Sequence, residues 1–138
     1  VGVVRTLIAS LKNQGIGISL DDFGTGYSSL SQLRSLPFDR IKIDKSFVMS
    51  ILDNNESAAI VNAISSLGDS LNLTVTAEGI EDSDIADRLT PMGISKGQGW
   101  HYGLPMDGEA AAGMLALQTA GETLVPANVS VKRIRAAA

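Results

Sequence analysis

Apolar residues recur along this chain with two alternating periods. From Val3 to Gln14 they fall at helical spacing, at Val3, Val4, Leu7, Ile8 and Leu11, and Gly15 stands where a helix would end. From Ile16 to Asp21 the period shortens to two, with Ile16, Ile18 and Leu20 on one parity and Gly17, Ser19 and Asp21 on the other. The alternation continues with a short helix over Tyr27 to Leu36, Leu30 and Leu33 inward, stopped by Pro37. A second strand runs from Asp39 to Asp44, and a long amphipathic helix from Ile51 to Leu71 has Asp53, Asn54 and Asn55 as capping candidates. A third strand spans Leu73 to Glu78, a helix Asp82 to Met92 ends at Gly93, and a brief fourth strand covers Ile94 to Gln98. A last helix, Asp107 to Ala120, closes at Gly121.

One helix followed by four strand-helix units, with no hairpin turn signals, predicts parallel strands joined by helical crossovers. In (βα) barrels the functional groups stand at the C-terminal ends of the strands. Here those ends carry Asp21 and Asp22, Lys42 and Asp44, Glu78, and Gln98. Asp21, Lys42 and Glu78 each lie opposite their strand's aliphatic parity, so they converge if the aliphatic faces pack on helices. Adjacent carboxylates repel in low dielectric and persist with a shared proton, a cation or bulk water. Asp21-Asp22 is therefore either a divalent metal site or a solvated turn. For Lys42 the alternative is a salt bridge to Asp44 or a rim position. His101, the single histidine, reads as a rim or packing residue.

Composition narrows the chemistry. The 138 residues, 44% hydrophobic and 19% charged, suit one domain with an ordinary core. A formal net charge of -4 argues against a sequence-independent grip on nucleic acid polymer or anionic membrane. The absence of cysteine excludes disulfides and thiolate metal sites and suits a reducing, cytoplasmic setting, with the parent protein free to be membrane-tethered. Oxygen ligands remain, and they favour Mg, Mn or Ca over Zn or copper.

Four segments, Asp21-Asp22-Phe23-Gly24-Thr25-Gly26-Tyr27-Ser28-Ser29-Leu30, Ile41-Lys42-Ile43-Asp44, Ala77-Glu78-Gly79-Ile80-Glu81 and Gln98-Gly99-Trp100 with Pro105 beyond, resemble in order and spacing the EAL-domain family of cyclic-di-GMP phosphodiesterases. The resemblance implies an α/β fold, the C-terminal half of a TIM-like (β/α)8 barrel over 1–120; beyond it, Pro126, the basic cluster Lys132, Arg133 and Arg135 and three terminal alanines read as a poorly ordered tail or linker over 121–138. It implies hydrolysis of cyclic-di-GMP to the linear dinucleotide pGpG, with two Mg2+ or Mn2+ ions in the intact domain. By position, Asp21, Asp22 and Glu78 would be metal ligands. Lys42, Glu78 and Asp21 would carry the chemistry, and Gln98 and Asp44 the supporting network. Phe23, Gly24, Thr25 and Gly26 would form the loop that couples a dimer interface to the metal site, braced by Glu81.

A complete barrel takes about 250 residues, so the family's first half, with its naming Glu-Ala-Leu segment and further ligands, has no counterpart here. Four strands alone leave two open edges and exposed apolar positions, which implies the missing barrel half, or a homodimer or higher oligomer, as partner beside cyclic-di-GMP. Two alternatives to an enzyme stay open: a receptor that binds the dinucleotide without cleaving it, and an inactive half-barrel fragment.

Overall fold

The computed structural model describes residues 2–26 and 30–119; Tyr27, Ser28, Ser29 and the expected tail at 121–138 lie outside the described residues. Helix α1 (Gly2–Asn13) precedes strand β1 (Ser19–Phe23), then come α2 (Leu30–Ser35), β2 (Arg40–Ile43), α3 (Lys45–Met49), α4 (Asn55–Leu71), β3 (Thr74–Glu78), α5 (Ser83–Leu89), β4 (Lys96–Gln98) and α6 (Gly108–Thr119). The strands form one parallel sheet in the order β1-β2-β3-β4, as the crossover pattern requires.

The aliphatic parity of each strand faces the helices. Ile41, Ile43, Val75 and Ala77 meet Val61 and Ile64 of α4, Val48 of α3 and Leu89 of α5 in the core. The opposite parity presents Arg40, Lys42, Thr76, Lys96 and Gln98, and with Asp21 these line an open cleft of 620 Å³. The uncovered side of the sheet is therefore polar. Exposed apolar side chains lie elsewhere, among them Val3, Val4 and Leu7 on α1 and Trp100 and Leu104 beyond the strands.

Local chemistry sets the element ends. Asn54 caps α4 by accepting from the Glu56 and Ser57 amides, and Asn72 closes it in the left-handed region. Asp82 caps α5 through the Ile85 amide, and Asp107 accepts from Ala110 at the start of α6. Lys12 of α1 donates to Asp39 at 2.7 Å, and Asp39 also accepts from the Ile18 amide, which ties α1 to the starts of β1 and β2. The paired Lys12 ammonium, seconded by that amide, holds the Asp39 carboxyl below its ordinary value.

Several expectations shift. Strand β1 begins three residues later than the alternation predicts and reaches Phe23; Ile16 is exposed. Among the described residues helix α2 covers Leu30–Ser35; Leu30 faces solvent, so of the two side chains expected inward Leu33 alone is buried. The expected helix from Ile51 is preceded by a separate short helix, α3, which the periodicity did not signal and which Asp44 caps. No helix among the described residues is long and apolar enough to cross a membrane.

Candidate metal centre

The two carboxylates of β1 share one site because the strand breaks its own alternation. Strict period two from Leu20 would turn Asp22 to the helix-facing side of the sheet with Leu20. Instead Leu20 pairs with Ile41 and Phe23 with Ile43, so Asp21 and Asp22 together stand opposite Lys42 in a β-bulge. Asp22 takes φ 52, in the left-handed region that aspartate tolerates better than most residues. Its carbonyl accepts from both the amide and the hydroxyl of Thr25, at 3.3 and 2.8 Å, which closes a tight turn over Gly24. The bulge passes the core position to Phe23, which is buried, and frees Asp22 for the strand mouth. One carboxylate oxygen each from Asp21, Asp22 and Glu78 then lies within 4.8 Å of the others.

Lys42 and Glu78 come from adjacent strands. The Lys42 Nζ lies 2.5 Å from Glu78 Oε1 and 3.7 Å from Asp21 Oδ1, so its partners are these two acids, and Asp44 is engaged elsewhere. Its hydrogen bond to Glu78, with the negative charges of Glu78 and Asp21, raises the Lys42 pKa against the opposing effect of burial. Glu78 is subject to opposed effects. Burial of its side chain, 19% exposed, and the nearby Asp21 push its pKa up, Lys42 pulls it down, and the upward effect prevails. Three carboxylates thus face one ammonium, leaving uncompensated like charges that a bound cation would offset.

Asp44 begins α3: it accepts from the Ser46 amide at 2.9 Å and from the Ser46 hydroxyl. These bonds hold its carboxyl below the ordinary aspartate value. It nevertheless lines a second cleft, also of 620 Å³, together with Asp22, Glu78, Glu81, Gln98 and Trp100. Gln98 stands beside Glu78 in register. Of the expected coupling loop, Phe23 is a core residue at the end of β1, while Gly24, Thr25 and Gly26 form the turn. His101 is exposed and stands edge-on to Tyr102, ring centroids 4.9 Å apart.

Sequence reasoning missed the contribution of α3. A Cβ on Gly24 would fall 2.7 Å from the Phe47 ring, and one on Gly79 2.7 Å from the Lys45 Cβ. The available signal was Asp44-Lys45-Ser46, a capping aspartate two residues before a serine. As a donor set, three carboxylates from three backbone positions, with no nitrogen or sulfur, fit a hard divalent cation such as Mg2+, Mn2+ or Ca2+.

A family profile described as "EAL domain" matches residues 2–105. Among curated proteins, the bifunctional diguanylate cyclase/cyclic di-GMP phosphodiesterase MucR of Pseudomonas aeruginosa is 45% identical over 103 residues, 75% of this chain and 15% of MucR. The oxygen sensor protein DosP of Escherichia coli is 44% identical over 109 residues, 79% of this chain and 14% of DosP. Among solved structures, a PaMucR phosphodiesterase complex with c-di-GMP superposes with a TM-score of 0.73 at 42% identity, covering 80% of this chain and 44% of that one. The EAL domain of Mycobacterium smegmatis DcpA gives 0.77 at 40% identity, covering 82% and 51%. The chain thus spans about half of these solved domains and less than a fifth of the two curated relatives, and its four parallel strands are part of a TIM-like barrel.

Proposed function

The chain belongs to the EAL-domain family, and from that premise we propose that it forms the metal- and phosphate-handling half of a phosphodiesterase that hydrolyses cyclic-di-GMP to pGpG. One observation carries the reading: oxygens of Asp21, Asp22 and Glu78 within 4.8 Å of one another, beside an ammonium that touches two of the three acids. Asp21, Asp22 and Glu78 would hold Mg2+ or Mn2+, two ions in the complete barrel. Bound divalent ions supply an activated water and neutralise charge that grows on phosphate oxygens during in-line displacement.

The chain's own residues prepare that chemistry. The bulge fixes both β1 carboxylates on one side before any ligand arrives, so little reorganisation is needed. Lys42 brings a compact positive charge to the site without occupying a ligand position, suited to orienting a phosphate oxygen or the attacking water. Glu78, the least solvated of the acids and raised in pKa, is the carboxylate best placed to take a proton at Oε1 when its bond to Lys42 loosens. Gln98 and Asp44 line the same cleft and would complete the hydrogen-bond network around the ligand.

The supporting measurement is hydrolysis of cyclic-di-GMP by this segment joined to the rest of its barrel, in Mn2+, with pGpG resolved by chromatography. Cleavage that is lost in Asp21→Asn supports the reading. Tight binding of the dinucleotide without cleavage in the wild type would replace it with the receptor reading.

A further inference from the structure

The five-residue helix α3 packs against both backbone segments that carry the acids. After β1, the ring of Phe47 occupies the space a side chain on Gly24 would need: a Cβ there would lie 2.7 Å from Phe47 Cε2 and 3.4 Å from Ile64 Cδ1. After β3, a Cβ on Gly79 would lie 2.7 Å from the Lys45 Cβ, 3.3 Å from its Cα and 3.5 Å from Met49 Cγ. Both glycines adopt positive φ, +102 and +75. Gly24 follows Asp22 by two residues, and Gly79 is the residue after Glu78.

Helix α3 is itself firmly seated. Val48 is fully buried, Asp44 caps the first turn, and the Ser50 hydroxyl pairs with Ser57 of α4 at 2.8 Å. The Asp44 amide also donates to the Phe23 carbonyl at 3.4 Å, a direct backbone link to the bulge. A rigid element between two loops sets how far apart they stand, because packed interiors do not deform continuously.

We propose that α3 is a spacer for the metal centre: Phe47 on Gly24 and Lys45 on Gly79 fix the separation of Asp22 and Glu78, and Phe47 is a positioning residue for the ion these carboxylates hold. The proposal rests on the metal reading of Asp21, Asp22 and Glu78. It adds that residues which ligate nothing set the affinity, as supporting residues around metal sites commonly do at a cost of about 10- to 100-fold when removed.

The test is Mn2+ titration of this chain joined to the rest of its barrel, read as loss of the free-ion electron paramagnetic resonance signal, with folding followed by circular dichroism and urea. Phe47→Ala and Gly79→Ala should weaken Mn2+ binding about 10-fold or more, and Phe47→Leu should restore most of it. Leu33→Ala, a core change away from α3, should lower stability and leave the affinity unchanged, separating positioning from general loosening. Should Phe47→Ala fail to fold, Gly24→Ala decides, since Gly24 is exposed and its substitution opens no cavity. Wild-type affinity in the α3 and glycine variants, with binding lost in Asp21→Asn, overturns the spacer alone. A wild-type chain without Mn2+ affinity, or an Asp21→Asn chain that keeps it, overturns the metal reading and the spacer with it.

Discussion

The Lys42 ammonium stands 2.5 Å from the Glu78 carboxylate across the β2–β3 pair, beside the clustered carboxylates of Asp21, Asp22 and Glu78. The contact places a cation where phosphate charge would have to be met. In the complete barrel Lys42→Ala should lower kcat by about 100-fold with a much smaller rise in KM, the signature of a group acting mainly in the transition state. Steady-state kinetics decide it; a change confined to KM would make Lys42 a binding residue.

Asp21→Asn keeps the size of the side chain while removing a charge that the proposed metal ligands would need. Cyclic-di-GMP hydrolysis should fall below detection with an unchanged far-ultraviolet spectrum. Chelation of the wild type should abolish turnover reversibly, with activity returning on addition of Mn2+ or Mg2+. Wild-type rates in the variant would remove Asp21 from the centre.

Gly68 of α4 faces β3 so closely that an added Cβ would meet the Leu73 carbonyl at 3.2 Å as well as the Val75 side chain. Gly68→Ala should therefore destabilise the fold by about 1–3 kcal/mol through overpacking, despite the better helix propensity of alanine. Urea unfolding measures this, and a stabilised variant would mean that α4 can shift away from the sheet.

Asp39 is held below its ordinary pKa of 3.8 by Lys12. A depressed folded value means stability that is present above pH 3.8 and lost as pH falls through the lower, folded value. Asp39→Asn should be less stable than wild type near neutrality and show a flatter decline in acid. Thermal unfolding from neutral to strongly acidic pH tests the sign; parallel profiles would show that the pair contributes nothing.

By itself the 138-residue chain should self-associate. Strands β1 and β4 each present an open edge, and the apolar Val3, Val4 and Leu7 face solvent. Light scattering should report species larger than a monomer, and little or no cyclic-di-GMP should be cleaved at saturating Mn2+. A monodisperse, active monomer would contradict both expectations.

Much of this was legible in the residues. Ile41 and Ile43 against Lys42, and Val75 and Ala77 against Glu78, alternate with a period that the pleat of a strand imposes locally, so the chain alone determined which side chains face the helices and which converge. The capping residues Asn54 and Asp82 were likewise local, since a helix start is satisfied by its own neighbours. What lay beyond the sequence depended on contacts between segments. Alternation would have sent Asp21 and Asp22 to opposite faces; only the pairing of Leu20 with Ile41 and Phe23 with Ile43 puts both opposite Lys42. The exposure of Leu30 and the seat of α3 between Gly24 and Gly79 depend on which surfaces come to cover them. Periodicity counts positions along one chain segment, whereas a bulge, a buried face and a spacer are each defined by a second segment arriving across space, and that arrival is what the tertiary structure decided.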